Sequence, residues 1–346
     1  MRAMAVTSYS EPLAEVDLPE PDLKPGHALL EVLACGVCFS DVKTSRGKMP
    51  FSDELRLPHV PGHEICARVL ETDPPSEVDP GTRVVVHHYC PCGRCARCRA
   101  GDENLCTDLR AWIGFTSNGG FAERVVVPTD RLLEIPDSVD STWAGPMTCA
   151  LGTAYRSVVG RGRVAPGSDV AVIGLGGVGI HAIQIARHAG ANVVGIDRSE
   201  RALGLARRLG IRAYPASDPD VEGEVSAASP DGFDVVIDNV GHDETLAQAT
   251  RLARPGGRVV GVGYSPQGRL SVATPTFVLG ELEFVGSRYV ARGELERAIR
   301  LASNGHVEVI VESVRPLDDV NDVFAELERG ELAGRAVVDV AGVETQ

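Results

Sequence analysis

The segment that most constrains the fold runs from Asp169 to Asp197. The run Asp169–Ile173 predicts a strand, and the residues after it read GLGGVG before a helical pattern begins. A G-x-G-x-x-G turn in this context is typical of a dinucleotide site, because glycine lets the backbone approach a pyrophosphate at the positive end of the helix. The predicted coenzyme contacts of this turn are Gly174, Gly176, Gly177, Val178 and Gly179.

An acidic residue, Asp197, ends the next predicted strand at the spacing expected of this fingerprint. A carboxylate at this point accepts hydrogen bonds from the adenosine ribose and repels a 2′-phosphate, which favours NAD. Arg198 and Arg201 follow closely and could receive the 2′-phosphate of NADP. We therefore predict an NAD site to which Asp197 and Arg198 contribute, with NADP as the alternative and a glycine-rich turn without a ligand as the third reading.

Two kinds of pattern divide the chain. The first 150 residues contain short Val/Leu/Ile runs between Pro and Gly turns, which predict a β-rich domain. Strand-like and helical stretches alternate over residues 151–285, which predicts a doubly wound parallel sheet. Residues 286–346 return to mixed elements, including the strand-like runs VEVIVES and GRAVVDV. We expect this tail to complete the first domain, so that the α/β unit is an insertion.

Five cysteines lie close together in YCPCGRCARCRAGDENLC, residues 89–106. Four of them have the spacing C-x2-C-x2-C-x7-C, which suits a closed, four-thiolate structural zinc site in a lobe over residues 90–110. An iron–sulfur cluster or a redox-labile set of thiols is the alternative. The predicted ligands are Cys92, Cys95, Cys98 and Cys106, and Cys90 falls outside the spacing.

Three further residues that can bind a metal lie far apart in the chain: Cys38, His63 and Cys149. Taken singly, each has the ordinary interpretation of a buried structural residue. Together they form a Cys2His set, which leaves one position of a tetrahedral zinc open for a substrate and is therefore typical of a catalytic site.

Charge and the N-terminal sequence exclude other classes of function. The formal net charge of −14 argues against nucleic acid or an anionic membrane as the main partner, because both require a basic surface. The first twenty residues contain no apolar run of the kind found in signal peptides, and the chain has no long uncharged apolar stretch. We expect a cytoplasmic protein that acts on a small molecule.

Taken in order, these motifs resemble the zinc-dependent alcohol dehydrogenases of the medium-chain dehydrogenase/reductase superfamily. The likeness runs through GVCFSD, GHE, the four-cysteine lobe, GGFAERVVVP, the cysteine before TAYR, GLGGVG, FDVVIDNVG, GSRYV and GRAVVDV. It implies a GroES-like β domain with an inserted Rossmann coenzyme domain. It further implies an enzyme that transfers a hydride between an alcohol and NAD, with two zinc ions per chain, and a homodimer or homotetramer.

The resemblance also implies a role for each matching position. Cys38, His63 and Cys149 look like the ligands of the catalytic zinc, and Glu64 looks like the carboxylate that can approach it. Asp41 matches the carboxylate that orients the histidine ligand, and Ser40 matches the hydroxyl that takes the proton from the alcohol. The remaining coenzyme contacts implied by the resemblance are Thr153, Val240, Val262 and Arg335.

The chain departs from many relatives at two positions. Phe39 stands where they have a histidine that contacts the coenzyme phosphates, and Lys43 stands where they have a histidine that relays the proton. A lysine with an ordinary pKa is a poor proton acceptor at neutral pH, so we expect a different proton exit. Residues expected at the substrate pocket, with plain packing as the alternative, are Met49, Phe51, Trp112 and Tyr289.

Other functions fit the residues less well. One alternative within the superfamily is a zinc alcohol or polyol dehydrogenase that prefers NADP. Another is a reductase acting on an activated enone or an enoyl thioester, but such members usually lack both zinc sites. An inactive relative kept as a binding protein would be expected to lack a ligand, and none is missing from this sequence. A free-standing zinc-binding regulator is disfavoured by the acidic charge and the nucleotide fingerprint.

Overall fold

A computed structural model describes residues 1–74 and 76–342 of the chain. The strands are β1 (Arg2–Ala5), β2 (Ala14–Asp17), β3 (His27–Val37), β4 (Glu64–Thr72), β5 (Arg83–Val86), β6 (Tyr89–Cys90), β7 (Ala111–Trp112), β8 (Arg124–Pro128), β9 (Leu132–Glu134), β10 (Asp169–Ile173), β11 (Asn192–Asp197), β12 (Arg212–Pro215), β13 (Phe233–Asp238), β14 (Ala253–Gly261), β15 (Glu283–Gly286), β16 (Val311–Pro316) and β17 (Arg335–Asp339).

The α-helices lie mainly in the middle and C-terminal parts of the chain. They are α1 (Phe39–Ser45), α2 (Ala96–Arg99), α3 (Ser141–Ala144), α4 (Ala150–Tyr155), α5 (Gly179–His188), α6 (Glu200–Arg208), α7 (Val221–Ala228), α8 (Asp243–Leu252), α9 (Thr274–Leu279), α10 (Arg292–Ser303) and α11 (Val320–Arg329). No helix in the described ranges is both long enough and apolar enough to span a membrane.

The larger sheet combines strands from both ends of the chain. Its order is β16-β17-β3-β4-β5-β9, and β8 also pairs with β3. All these pairs are antiparallel except β16 with β17. The long strand β3 is central because it bonds to β17, β4 and β8, and its second half is buried throughout. The C-terminal strand β17 is thereby placed beside the end of β3, where Ala336 pairs with Val37.

The second sheet is parallel throughout and has the order β12-β11-β10-β13-β14-β15. Counted along the chain, this is the doubly wound order 3-2-1-4-5-6, in which the direction of winding reverses between β10 and β13. Ligands of such sheets bind at the carboxyl ends of the strands at this reversal. The GLGGVG turn follows β10 directly and therefore lies at that point.

The helices of this unit follow from ordinary sequence signals. In α6, Ser199 caps the N-terminus by accepting a hydrogen bond from the backbone of Ala202, and two arginines in the last turn complement the helix dipole. The residues of α6 that face the sheet are buried, namely Ala202, Leu203, Leu205 and Ala206. Burial of such a face supplies most of the stability of a surface helix.

The strand-like run VEVIVES is only partly a strand, since β16 starts at Val311 and Val307–Ile310 lies outside any strand. Side chains of α5 satisfy the backbone of this segment instead. The amide of Glu308 donates to Gln184 Oε1 at 2.9 Å, and the amide of Ile310 donates to His181 Nε2 at 3.1 Å. Because these amides bond to side chains, the apolar pattern alone gives the wrong start of the strand.

The apolar run TRVVVHHYC, residues 82–90, is divided between two strands. β5 ends at Val86 and β6 begins at Tyr89, because the chain changes partner at this point. Val86 pairs with Leu132 of β9, whereas Tyr89 pairs with Trp112 of β7. The intervening histidines are buried between the two pairings, a change of direction that no local pattern in the sequence indicates.

The contact between His181 and Ile310 predicts a pH-dependent stability. Burial lowers the pKa of His181 to about 4, against an ordinary value of 6.5. Folding therefore disfavours protonation of His181. The contribution of this neutral histidine to the free energy of unfolding is fully present above pH 6.5 and is lost as the pH falls toward 4. For this histidine we expect a loss of about 2 kcal/mol between pH 7 and 5.

This loss is measured from urea unfolding of wild type and His181→Gln at pH 7 and 5. The variant should lose less free energy of unfolding over that interval, because Gln can still accept a hydrogen bond but does not titrate. His188→Gln, which changes an exposed histidine of the same helix, is the control and should behave as wild type. Equal pH dependence in wild type and His181→Gln would contradict the assignment.

Candidate functional site

Three distant segments meet where β3 ends and β4 begins. Gly36 pairs with Glu64 across these strands, which brings Cys38, at the start of α1, next to His63. Gly145 packs on the same point, and a Cβ on this residue would lie 2.3 Å from the carbonyl oxygen of Glu64. Only glycine permits this approach, which carries the segment ending at Cys149 to the strand ends.

Asp41 holds the first two candidate ligands in place. Its Oδ1 lies 2.9 Å from His63 Nδ1, and its Oδ2 accepts the backbone amide of Cys38 at 2.9 Å. Burial opposes the charged form of His63, but the charge and hydrogen bond of Asp41 outweigh it and raise the pKa of His63 to about 10. With Nδ1 bonded to the carboxylate, Nε2 is the ring nitrogen left to bind a cation.

The two cysteines and Glu64 complete the cluster. The donor atoms of Cys38, His63, Glu64 and Cys149 all lie within 4.8 Å of one another. A hydrogen bond from Cys149, together with the charge of the nearby Arg335, holds the pKa of Cys38 well below its usual value. Cys38 is therefore the thiol that most readily becomes a thiolate in this cluster.

Glu64 forms a buried ion pair with Arg335, the first residue of β17. Arg335 Nε donates to Glu64 Oε1 at 3.0 Å, and both side chains are almost fully buried. Burial raises the pKa of Glu64 to about 7, and the guanidinium of Arg335 opposes that rise. A Cβ on Gly36 would lie 2.2 Å from Glu64 Oε2, so glycine at this position makes room for the carboxylate.

Two orphaned atoms indicate that this cluster suits a metal. His63 Nε2 and Glu64 Oε2 are buried and have no hydrogen-bond partner among the described residues. An unpaired buried polar atom costs free energy, and a cation bound between the thiols and the imidazole would satisfy the histidine nitrogen. Two sulfurs and one imidazole are ligands that zinc prefers, so the residues fit that ion.

The four-cysteine lobe fits a tetrahedral ion as well. Zinc–sulfur bonds of about 2.3 Å place tetrahedral sulfurs about 3.8 Å apart. The observed distances from Cys98 Sγ are 3.4 Å to Cys95 and 3.9 Å to Cys92, and Cys95 lies 4.0 Å from Cys106. Backbone amides point at the sulfurs, and hydrogen bonds from Cys98 and Thr107 lower the pKa of Cys95 to about 5. Cys90 is fully buried and belongs to neither cluster.

The glycine-rich turn has the geometry of a coenzyme site. Gly174 has φ +83°, which favours glycine, and a Cβ on Gly179 would lie 1.8 Å from the carbonyl oxygen of Gly174. Asp197 accepts the amides of Leu175 at 2.6 Å and Ser199 at 2.7 Å. This carboxylate is thereby fixed beside the turn, in the position predicted for a contact to the ribose.

The arginines predicted or considered as coenzyme contacts have different surroundings. A Cβ on Gly177 would lie 2.4 Å from the guanidinium of Arg335. Arg335 therefore reaches from Glu64 and Cys38 to the glycine-rich turn. Arg198 is exposed and lies beside Gly330, and Arg201 forms an ion pair with Glu312.

A cavity of about 1230 Å³ extends from Cys38 and Cys149 to Val178 in the glycine-rich turn. The predicted residues that line it are Cys38, Phe39, Ser40, Lys43, Met49, Phe51, Trp112, Cys149, Thr153, Val178, Val240, Val262, Tyr289 and Arg335. His63, Glu64 and Asp41 lie behind this wall and are fully buried. Ser40 Oγ donates to Cys38 Sγ at 3.1 Å, so its hydroxyl lies at the metal cluster and faces the cavity.

Three residues near this cavity were not singled out by the sequence. Tyr264 and Arg288 line it and lie just beyond the ends of β14 and β15, a position from which residues of parallel sheets commonly reach a ligand. Lys43 Nζ donates to the carbonyl oxygen of Tyr264 and lies 4.1 Å from its ring centroid. His88 packs 5.0 Å from the ring of His63, and both its ring nitrogens lack a partner in the described chain.

Comparison with known proteins agrees with this arrangement. Residues 24–137 match the alcohol dehydrogenase GroES-like domain, and residues 177–304 match the zinc-binding dehydrogenase domain. An alcohol dehydrogenase of Geobacillus stearothermophilus is 32% identical over 344 residues, which cover 98% of this chain and 100% of the relative.

Solved structures give the same result. An NAD-dependent alcohol dehydrogenase has a TM-score of 0.92 at 30% identity and covers 99% of this chain and 100% of its own. A zinc-binding dehydrogenase from Sinorhizobium meliloti, solved with NADP bound, has a TM-score of 0.88 at 32% identity over 98% of this chain and 99% of its own.

The fold and the cysteine–histidine cluster define a zinc-binding dehydrogenase, built from a GroES-like unit and a Rossmann-type parallel sheet. Within that class, the chain belongs to the zinc-dependent alcohol dehydrogenases of the medium-chain dehydrogenase/reductase superfamily. The fold class and family predicted from the sequence are thereby confirmed.

The hydrogen bond that His63 Nδ1 donates to Asp41 predicts that a change of Asp41 will alter metal binding. Asp41→Asn removes the charge that orients the imidazole, and loss of such a carboxylate typically weakens metal affinity 10- to 100-fold. Transfer of zinc from the Cys38–His63–Cys149 site to a chromophoric chelator should therefore become more favourable by about that factor. The affinity of the four-cysteine lobe for zinc should not change. Asp53→Asn, at an exposed carboxylate, is the control, and equal zinc affinity in Asp41→Asn and wild type would overturn this role.

Proposed function

We propose that this chain is an NAD-dependent alcohol dehydrogenase with a catalytic zinc on Cys38, His63 and Cys149 and a structural zinc in the four-cysteine lobe. One observation carries the proposal. The buried Cys2His cluster, with its unpaired imidazole nitrogen, opens onto the same cavity as residues beside the glycine-rich turn. An alcohol and a nicotinamide can therefore meet in one enclosed space.

The chain's own residues position the reactants in this mechanism. When bound, zinc supplies a Lewis acid for the substrate oxygen and the nicotinamide accepts the hydride. Cys38, His63 and Cys149 would hold the metal, and Ser40 Oγ, beside Cys38, would take the hydroxyl proton of the alcohol. Thr153, which lines the cavity, would contact the nicotinamide.

The proton leaves by a route without a histidine relay. Lys43 occupies the relay position, and its ammonium is bonded to the carbonyl oxygen of Tyr264 and lies over the Tyr264 ring. Burial lowers the pKa of Lys43, but the group faces an acceptor and an aromatic ring, both of which favour its cationic form. We infer that water carries the proton from Ser40 to solvent.

The coenzyme contacts favour NAD over NADP. Asp197 is fixed by two backbone amides, and its negative charge would face the 2′-phosphate of NADP. Arg201 is already paired with Glu312, which leaves Arg198 as the nearby cation for that phosphate. NADP is the alternative coenzyme to test, because a similar dehydrogenase was solved with NADP bound.

Association with further copies is part of the proposal. None of the residues of α9 is buried, and three consecutive side chains, Phe277, Val278 and Leu279, are exposed and apolar. They lie before β15, the edge strand of the parallel sheet. Covering this face in a homodimer or homotetramer would remove apolar surface from water.

The central experiment combines metal analysis with a substrate screen. We expect two zinc ions per chain and oxidation of primary or secondary alcohols with NAD. Removal of the zinc bound by Cys38, His63 and Cys149 with a chelator should abolish activity, and added zinc should restore it. Full activity of a preparation shown to contain no metal would refute the mechanism, and turnover of enones but no alcohol would favour the alternative reductase.

Coenzyme preference is tested with Asp197→Asn, which keeps the shape of the side chain but removes its charge. Like charges held together cost several kcal/mol, so the ratio of kcat/KM for NADP to that for NAD should rise at least about 10-fold. Binding of NADPH and NADH, followed by fluorescence, should change in the same direction. Glu200→Gln, which neutralises an exposed carboxylate nearby, is the control. A wild-type preference for NADP, or an unchanged ratio in Asp197→Asn, would contradict the NAD assignment.

A further inference from the structure

The cavity is rich in cations although the chain carries a net charge of −14. Two of the three lysines of the chain line it, together with several arginines. Among the described residues that line it, Glu328 is the one carboxylate. The cations are Lys43, Lys48, Arg46, Arg156, Arg161, Arg288 and Arg335. A concentration of positive charge inside an acidic protein indicates that the cavity receives anions.

Most of the cavity's arginines already have acceptors in the protein. Three of them bond to carboxylates, and one donates to a backbone carbonyl. These contacts are Arg46 with Glu328 at 3.0 Å, Arg156 with Glu294 at 2.6 Å, Arg335 with Glu64 at 3.0 Å, and Arg161 with the carbonyl of Gly286 at 2.9 Å. They are oriented by the protein, and Arg335 also reaches the phosphate turn.

Arg288 differs from this group because its guanidinium has no hydrogen-bond acceptor within residues 1–74 and 76–342. It lies instead over three aromatic rings, 5.4 Å from the centroid of Tyr89, 5.5 Å from Trp112 and 5.7 Å from Tyr289. Its backbone is fixed, since its carbonyl oxygen accepts Asn104 Nδ2 at 2.7 Å. A held, unpaired guanidinium on an aromatic wall is suited to bind a planar anion in bidentate fashion.

The same wall carries further unpaired groups. Tyr89 Oη and Trp112 Nε1 are buried and have no partner in the part of the chain that the structure describes. Both belong to rings that Arg288 covers, and Trp112 lines the cavity. Buried donors of this kind are normally satisfied, so two donors beside Arg288 lack an acceptor among the described residues.

We propose that the substrate is an alcohol that carries a carboxylate, or the corresponding carbonyl acid in reverse, and that Arg288 binds the carboxylate. This inference rests on the proposed alcohol dehydrogenase activity and names the substrate class of that site. The aromatic rings of Trp112, Tyr289 and Phe51 receive the apolar body of the substrate, and the hydroxyl group reaches the Cys38–Cys149 end of the cavity.

Tyr289 links the two ends of this site. It lines the same cavity as Cys38 and Cys149, and the guanidinium of Arg288 lies 5.7 Å from the centroid of its ring. A compact substrate can bridge the same interval, with its oxygen at the metal and its carboxylate at the guanidinium.

The test compares 4-(hydroxymethyl)benzoate with its neutral methyl ester. In wild type we expect a higher kcat/KM for the acid, mainly through a lower KM. In Arg288→Gln the ratio of acid to ester should fall by about 30-fold, as expected for loss of a hydrogen bond to a charged group, and Arg288→Lys should lie between. Arg300→Gln removes the same charge from an exposed position of α10 and is the control.

A binding measurement separates this inference from the activity itself. Benzoate binding, measured by calorimetry in the presence of NAD, should weaken in Arg288→Gln but not in Arg300→Gln. If no alcohol of the substrate screen is oxidised with NAD or NADP, the proposed function is wrong, and benzoate binding still tests Arg288. If both alcohols are oxidised with an equal acid-to-ester ratio in wild type and Arg288→Gln, the inference is wrong. Weaker NAD binding in Arg288→Gln, with benzoate affinity unchanged, would likewise overturn it by assigning the residue to the coenzyme.

Discussion

The buried ion pair between Glu64 and Arg335 connects every part of this site. Glu64 is the first residue of β4 and Arg335 is the first residue of β17. The two residues lie 271 positions apart in the chain. Burying two charges is costly, and such a pair is weak evidence for stability by itself. Here the pair has other consequences. Arg335 also lies close to Cys38 and Gly177, so one guanidinium contacts both the cysteine–histidine cluster and the glycine-rich turn. A neutral pair would fill the same volume but would give neither the thiols nor the coenzyme a cation.

The close approach of backbones explains how these charges are assembled. β3 and β4 end side by side, and glycines at 36 and 145 allow Glu64 and the segment before Cys149 to lie against the strand ends. The candidate metal ligands therefore lie at the ends of strands and helices fixed by the large sheet. Such placement limits the freedom of the ligands before a metal binds, which reduces the ordering cost of binding.

Much of this architecture follows from sequence patterns. β3 coincides with the apolar run His27–Val37, and the strand–turn–helix around GLGGVG is as predicted. The pattern failed where backbone amides found unusual partners, as at Val307–Ile310, whose amides bond to Gln184 and His181. Arg288 could not be identified because its distinction is the lack of an acceptor. That property depends on which carboxylates reach the other cavity arginines, and sequence does not give those distances.

The contrast between the protein's charge and its cavity bears on substrate choice. An acidic exterior repels anions at long range, whereas the cavity attracts them once they enter. Under the proposed function, coenzyme phosphates would account for cations near the glycine-rich turn, such as Arg335. They do not account for a guanidinium held over Tyr89, Trp112 and Tyr289, beside donors that are themselves unpaired. An apolar pocket for a simple alcohol would gain nothing from burying these polar groups, since unsatisfied donors cost free energy. Their retention is understandable if the substrate brings the acceptor with it.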